Sequence, residues 1–251
     1  MFRVSLDVGR LRGLVPALGD GWVRFDATAG MQVPEQVVSA VTAALRAPCA
    51  APGGVFPASL RAGEIEDEAR AAVADVVGAD PAGVVLGPHP AALLATLAHA
   101  LSEGWQLGDE VVVSRLDEAA HVAPWLAAAG RRGTAVRWAE IEIETCELPT
   151  WQFAELLDAP VRVVALTAAS AQVGTRPEVA PIAEQARERD AFVVVDLTAA
   201  APFTPQDLSA LGADVVVLDA AAWGGPPVGA LVFADPSLLD EFAAASPDPS
   251  A

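Results

Sequence analysis

From residue 84 onward the chain alternates two apolar patterns. Short valine-rich runs, such as Val111-Val112-Val113 and Val193-Val194-Val195, are separated by longer segments whose apolar positions recur every three or four residues. The first pattern suits strands buried on both faces, the second amphipathic helices. The periodicities predict strands at Val84–Leu86, Glu110–Ser114, Thr134–Trp138, Val161–Leu166, Phe192–Asp196, Val215–Leu218 and Ala230–Phe233. They predict helices over Pro34–Arg46, Glu64–Val77, His89–Leu101, Ala119–Ala129, Trp151–Leu157, Val179–Arg189, Pro205–Leu211 and Pro236–Ala245, with Gly78 and Gly130 as stops. Strands alternating with helices give an α/β fold in three layers, a mostly parallel central sheet covered by helices on both sides. The expected organisation is one domain over residues 1–245 with a frayed tail over 246–251. In such a sheet, ligands sit beyond the carboxyl ends of the strands, which directs attention to residues 87–91, 115–121, 167–175, 196–202 and 219–225.

Composition narrows the functions. The 251 residues carry a net charge of −18. Nucleic acid and anionic membranes reward basic faces, so neither is an expected partner. No run reaches the roughly 18 apolar residues of a membrane helix, and the N-terminus lacks a basic start followed by an apolar segment. A cytoplasmic location is expected. Cys49 and Cys146 have no CxxC spacing and read as reduced structural thiols. All 15 basic residues are arginine, and lysine, asparagine and tyrosine are absent. The three histidines and scattered carboxylates lack metal-ligand spacing, so no metal is expected. No phosphate-binding glycine loop, dinucleotide fingerprint or nucleophile elbow is present. The alternating Glu140-Ile141-Glu142-Ile143-Glu144 reads as an exposed edge.

Six segments in order carry a family likeness. They are Arg12–Leu18 with Gly21–Asp26, Gly108–Ser114, His121–Trp125, Val173-Gly174-Thr175, Val193–Asp196, and Trp223–Pro226 with Val228–Leu231. Together they resemble the cysteine-desulfurase-like branch of the class V aminotransferases, over about residues 11–242. The resemblance implies the large domain of a pyridoxal-phosphate-dependent transferase, with Gly21–Asp26 as its first strand. The resemblance further implies that the family's small C-terminal domain is missing.

Members of that family join pyridoxal phosphate to a lysine amine as a Schiff base. The matching position here is Ala222, and a methyl group forms no imine. Other contacts implied by the family pattern have changed as well. The serine expected to donate to the phosphate matches Asp219, and a carboxylate repels a phosphate dianion. The phosphate cradle matches His89-Pro90-Ala91, where proline removes a backbone donor and His89 is the one side chain able to donate. The histidine that stacks on the cofactor ring matches Glu118, and the asparagine near the ring oxygen matches Ala171. Asp196 alone is retained. It reads either as the partner of a protonated pyridine nitrogen or as a strand-end carboxylate that caps its own loop. His121 reads as a residue of a helix N-terminus, and His99 as packed on its helix.

The expected function is therefore a cysteine desulfurase or class V aminotransferase-like protein without catalysis. It is a pseudoenzyme that binds a ligand or a partner through the old scaffold, and it has no catalytic residue. The alternative is a transferase or lyase that holds pyridoxal phosphate noncovalently. The resemblance also implies a homodimer, or a protein partner covering the face of the missing C-terminal domain.

Overall fold

The computed structural model describes residues 7–239, which divide into two units. The first holds residues up to Glu66 together with Ala220–Pro227, and the second holds Asp67–Asp219 with the segment from Val228.

The first unit contains α1 (Val8–Gly13), α2 (Glu35–Arg46) and the start of α3 (Pro57–Val77). The Asp7 carboxylate caps α1 by accepting the Arg10 N–H at 2.9 Å, a standard helix N-terminal device. The Glu35 N–H donates to the Leu14 carbonyl at 2.8 Å, which ties α2 to the chain after α1. Residues 220–227 lie against residues 30–34. The Met31 N–H donates to the Ala222 carbonyl at 3.3 Å, and a Cβ on Gly224 would stand 2.7 Å from the Gln32 carbonyl oxygen. The expected strand at Gly21–Asp26 is not a strand, and Trp22, Val23 and Phe25 are exposed. An extended segment becomes a strand only when a neighbouring backbone takes up its N–H and C=O groups. Among the described residues this one has no such neighbour.

The second unit contains the sheet. Its strands are β1 (Val84–Gly87), β2 (Glu110–Ser114), β3 (Ala135–Ala139), β4 (Val161–Thr167), β5 (Phe192–Asp196), β6 (Val215–Asp219) and β7 (Gly229–Phe233). Their order across the sheet is β1-β7-β6-β5-β4-β2-β3. All neighbours are parallel except β7, which runs antiparallel to both β1 and β6. The helices are α4 (Pro90–Ser102), α5 (Ala119–Arg132), α6 (Phe153–Leu156), α7 (Val179–Arg187) and α8 (Leu208–Leu211). Alternation along the strands separates two faces. Val111, Val113, Val163, Val215, Val217 and Leu231 form one core with Leu94 and Leu97 of α4 and Trp125 and Ala128 of α5. The intervening residues, among them Val193, Val195 and Val216, face the other side, where α7 packs on β5.

The seven strands predicted from periodicity are all present within one or two residues of their expected bounds. The helices differ more. α5 runs through Gly130 to Arg132 and ends at Gly133, whose φ of 69° provides the left-handed C-cap that glycine adopts without strain. α3 begins seven residues before Glu64, at Pro57. Only Leu208–Leu211 of the expected Pro205 helix forms, because Asp207 caps it by accepting from Ser209 and Ala210. Most of the expected helix at Pro236–Ala245, and the tail over 246–251, lie outside the described residues.

Candidate functional site

The carboxyl ends of β2, β4 and β5 are neighbours in the sheet, and the polar cluster of this unit gathers there. Thr167 at the end of β4 stands in register with Asp196 at the end of β5, and Asp196 with Val217 of β6. The backbone around Asp196 is pinned on both sides. Its carbonyl accepts the Ala168 N–H at 2.9 Å, and the Leu197 N–H reaches the Val217 carbonyl at 2.9 Å.

The Asp196 side chain is buried and both of its oxygens are engaged. Oδ1 accepts the Thr198 N–H at 2.8 Å. Oδ2 lies 2.5 Å from Nδ1 of His121, and each side chain of this pair is only 8% exposed. His121 sits in the first turn of α5, and the helix is anchored behind it by Val122 and Trp125 in the core. Burial works against a charge on the imidazole. The hydrogen bond and charge of Asp196, with Glu118 and Asp117 nearby, outweigh it, so the ring keeps its proton to higher pH than a free histidine.

A second carboxyl group completes the cluster. Asp117 accepts from the Ser114 hydroxyl, and from the backbone of Thr167. Ser114 Oγ in turn accepts the Leu116 N–H at 3.0 Å. The Asp117 carboxyl is enclosed. Burial, with the charge of Asp196 adding to it, pushes its pKa up to about 7. The Thr198 hydroxyl, two residues beyond Asp196, is buried with no hydrogen-bond partner among the described residues. The cluster thus joins two carboxyl groups and one imidazole at the carboxyl ends of interior strands, able to hold or share protons but already hydrogen-bonded internally.

The other residues expected at the site take separate places. His89 is exposed and caps α4: its Nδ1 accepts the Ala91 N–H at 3.1 Å. That bond occupies a donor a phosphate would use. The N-terminus of α4 is fixed against β7, because a Cβ on Gly229 would stand 2.6 Å from the Pro90 nitrogen. Asp219 ends β6 in register with Gly229. Ala171 lies in the turn after β4. Four strand spacings separate β1 from β4, roughly 19 Å, so His89 and Ala171 are far apart. Glu118 is the exposed N-cap of α5, close enough for its charge to act on His121. Ala222 belongs to the first unit, in the turn Ala220–Trp223. No group of three or more metal-binding side chains, and no helix long and apolar enough to cross a membrane, occurs among the described residues.

His121 and Asp117 were not singled out as site residues by sequence. The available signal was a histidine placed one helical turn after an acid, in the loop and helix that follow a β-strand.

The family model "aminotransferase class-V" matches residues 23–242. Among curated proteins, the chain is 49% identical over 248 residues to uncharacterized protein MT3887 of Mycobacterium tuberculosis, covering 99% of this chain and 62% of that one. It is 29% identical over 233 residues to a probable cysteine desulfurase of Xylella fastidiosa, covering 88% of this chain and 55% of that protein. The chain thus spans between half and two thirds of the length of these relatives. Among solved structures, the apo cysteine desulfurase of Thermococcus onnurineus NA1 superposes with a TM-score of 0.86 at 23% identity, over 94% of this chain and 59% of that one. That likeness concerns the fold.

Proposed function

Because the chain belongs to the aminotransferase class-V family, we propose that it is a cysteine desulfurase-like pseudoenzyme, which keeps the scaffold and has lost the Schiff-base chemistry. The observation that carries this reading is the alanine at position 222 in a chain without a single lysine. Imine formation needs a primary amine on a side chain, and arginine does not supply one at neutral pH.

The rest of the site supports the same reading. A phosphate dianion would meet Asp219 where a hydroxyl is expected, and His89-Pro90-Ala91 where a cradle of donors is expected. Proline has no N–H, and the Ala91 N–H is taken by His89. These residues do not fit covalently held pyridoxal phosphate. The role left to the scaffold is binding, of a small ligand or of a protein. A second reading, noncovalent binding of the same cofactor, draws its support from Asp196 at the end of β5.

Equilibrium dialysis of the purified chain against pyridoxal phosphate, then borohydride reduction and intact mass, separates the readings. The expected result is no retained cofactor at concentrations that saturate a catalytic desulfurase, and no added mass. Retention that disappears in Asp196→Ala would establish the second reading. A borohydride-stable adduct would sink both.

The pseudoenzyme reading includes a homodimer. Its support is the run of exposed apolar side chains in the first unit, Val23, Trp22 at 74% and Phe25 at 95% exposed among them, because large apolar side chains clustered in sequence and left in water favour a contact that covers them. Light scattering during size-exclusion chromatography should give twice the 25.7 kDa chain mass. A stable monomer at micromolar concentration would count against it.

A further inference from the structure

We propose that His121 is an internal occupant of Asp196, its ring nitrogen taking the carboxylate that would otherwise meet the ring nitrogen of a bound heterocycle, so that this carboxylate is closed to an external ring cation. This inference rests on the pseudoenzyme reading and adds to it the means by which the retained aspartate is satisfied.

Three observations converge. First, a protonated imidazole and a pyridinium present the same group to a carboxylate, a planar ring N–H, and the His121 ring places its Nδ1 2.5 Å from Oδ2. Second, the remaining oxygen caps its own loop through the Thr198 N–H. The two readings left open for Asp196 thus meet in one residue, since one oxygen caps the loop and the other binds a ring nitrogen from within the chain. Third, neither partner can swing away cheaply. Asp196 is fixed by backbone bonds to β4 and β6, and α5 is held by Trp125 and Val122. The charges that face the ring, Asp196, Asp117 and Glu118, are all acidic and favour a ring that carries its proton. An external pyridinium would have to compete with a tethered cation whose effective concentration is set by the fold itself.

The test is chemical rescue. His121→Ala leaves the Asp196 carboxylate without its ring and opens a space the size of an imidazole. Imidazole at 10–50 mM, on the order used when a weak ligand must exceed its dissociation constant, is expected to raise the melting temperature of His121→Ala by several degrees. It should leave the wild type and the double variant His121→Ala/Asp196→Asn unmoved. Equal shifts in all three proteins, or no shift in a folded His121→Ala, would overturn the proposal. If His121→Ala does not fold, ring NMR of His121 in Asp196→Asn replaces it. The proposal expects the ring to release its proton at lower pH than in the wild type, and an unchanged titration would overturn it. Pyridoxal phosphate retained equally by the wild type and by Asp196→Asn would instead overturn the pseudoenzyme reading alone, so the two failures are distinct.

Discussion

Replacing Asp196 by alanine is expected to destabilise the sheet-containing unit by about 3–5 kcal/mol, the usual effect of removing one partner from a buried pair. The loss has two sources. His121 remains buried without the carboxylate it was built against, and the Thr198 N–H loses its acceptor. For a chain of this size that corresponds to a melting temperature lower by roughly 10 °C. His121→Ala should lie in the same range, because it leaves a buried carboxylate with half of its hydrogen bonds. A double-mutant cycle should then show strong coupling: the second substitution costs much less once the first is made. Chemical denaturation of the four proteins measures this directly. Additive single effects would mean that the two side chains, although 2.5 Å apart, stabilise the fold independently.

The second large effect is a dependence on pH. Stability should fall as pH rises from about 4 to 8. The Asp117 carboxyl has an ordinary value of 3.8 and is pushed up to about 7, first by burial and then by the neighbouring charge of Asp196. Between those values the native state keeps a proton that the unfolded chain has released, so added protons favour folding. Each unit of pH can then cost up to about 1.4 kcal/mol. His121 acts with the same sign. Its native pKa is raised, so its stabilising contribution is complete below the ordinary value of 6.5 and is lost as pH passes through the higher native value. The overall charge of −18 adds self-repulsion in the same direction. Asp117→Asn keeps the shape and removes the ionisation. It should flatten the curve between pH 4 and 7 and leave the variant more stable than the wild type at pH 8 by about 1–3 kcal/mol. Parallel curves for the two proteins would show that Asp117 does not carry the dependence.

The strands were legible because burial on both faces leaves a sequence signature that needs no partner to be read. Val193–Val195 can hardly be anything but an interior strand. Helix ends were less legible. Gly130 looked like a stop, but the preceding turns are alanine-rich and anchored by Trp125, and a glycine within a helix costs only about 1 kcal/mol relative to alanine. The glycine that ends α5 is Gly133, three residues later. Gly21–Asp26 failed as a strand for the opposite reason, since a strand exists only in a pair and the pairing lies outside the segment. In the site, family likeness located Asp196 and described what its surroundings lacked. It did not reveal that His121, 75 residues away in sequence, had filled the space beside it. A contact of that kind is fixed by the register of β2, β4 and β5, and no local pattern encodes it.

The place of β1 at the sheet border has a consequence for biosynthesis. Among the described residues its one partner is β7, and Val84 pairs with Val232, 148 residues further along the chain (232 − 84). At ribosomal rates of about 5–20 residues per second, β7 follows β1 after roughly 7–30 s. Through that interval an apolar strand and the Leu94–Leu97 face of α4, which packs on β7, have no completed surface to join. The first described strand therefore emerges well before the last described strand that completes it. Its yield in a cell will depend on what shields that strand during translation as much as on the stability of the finished sheet.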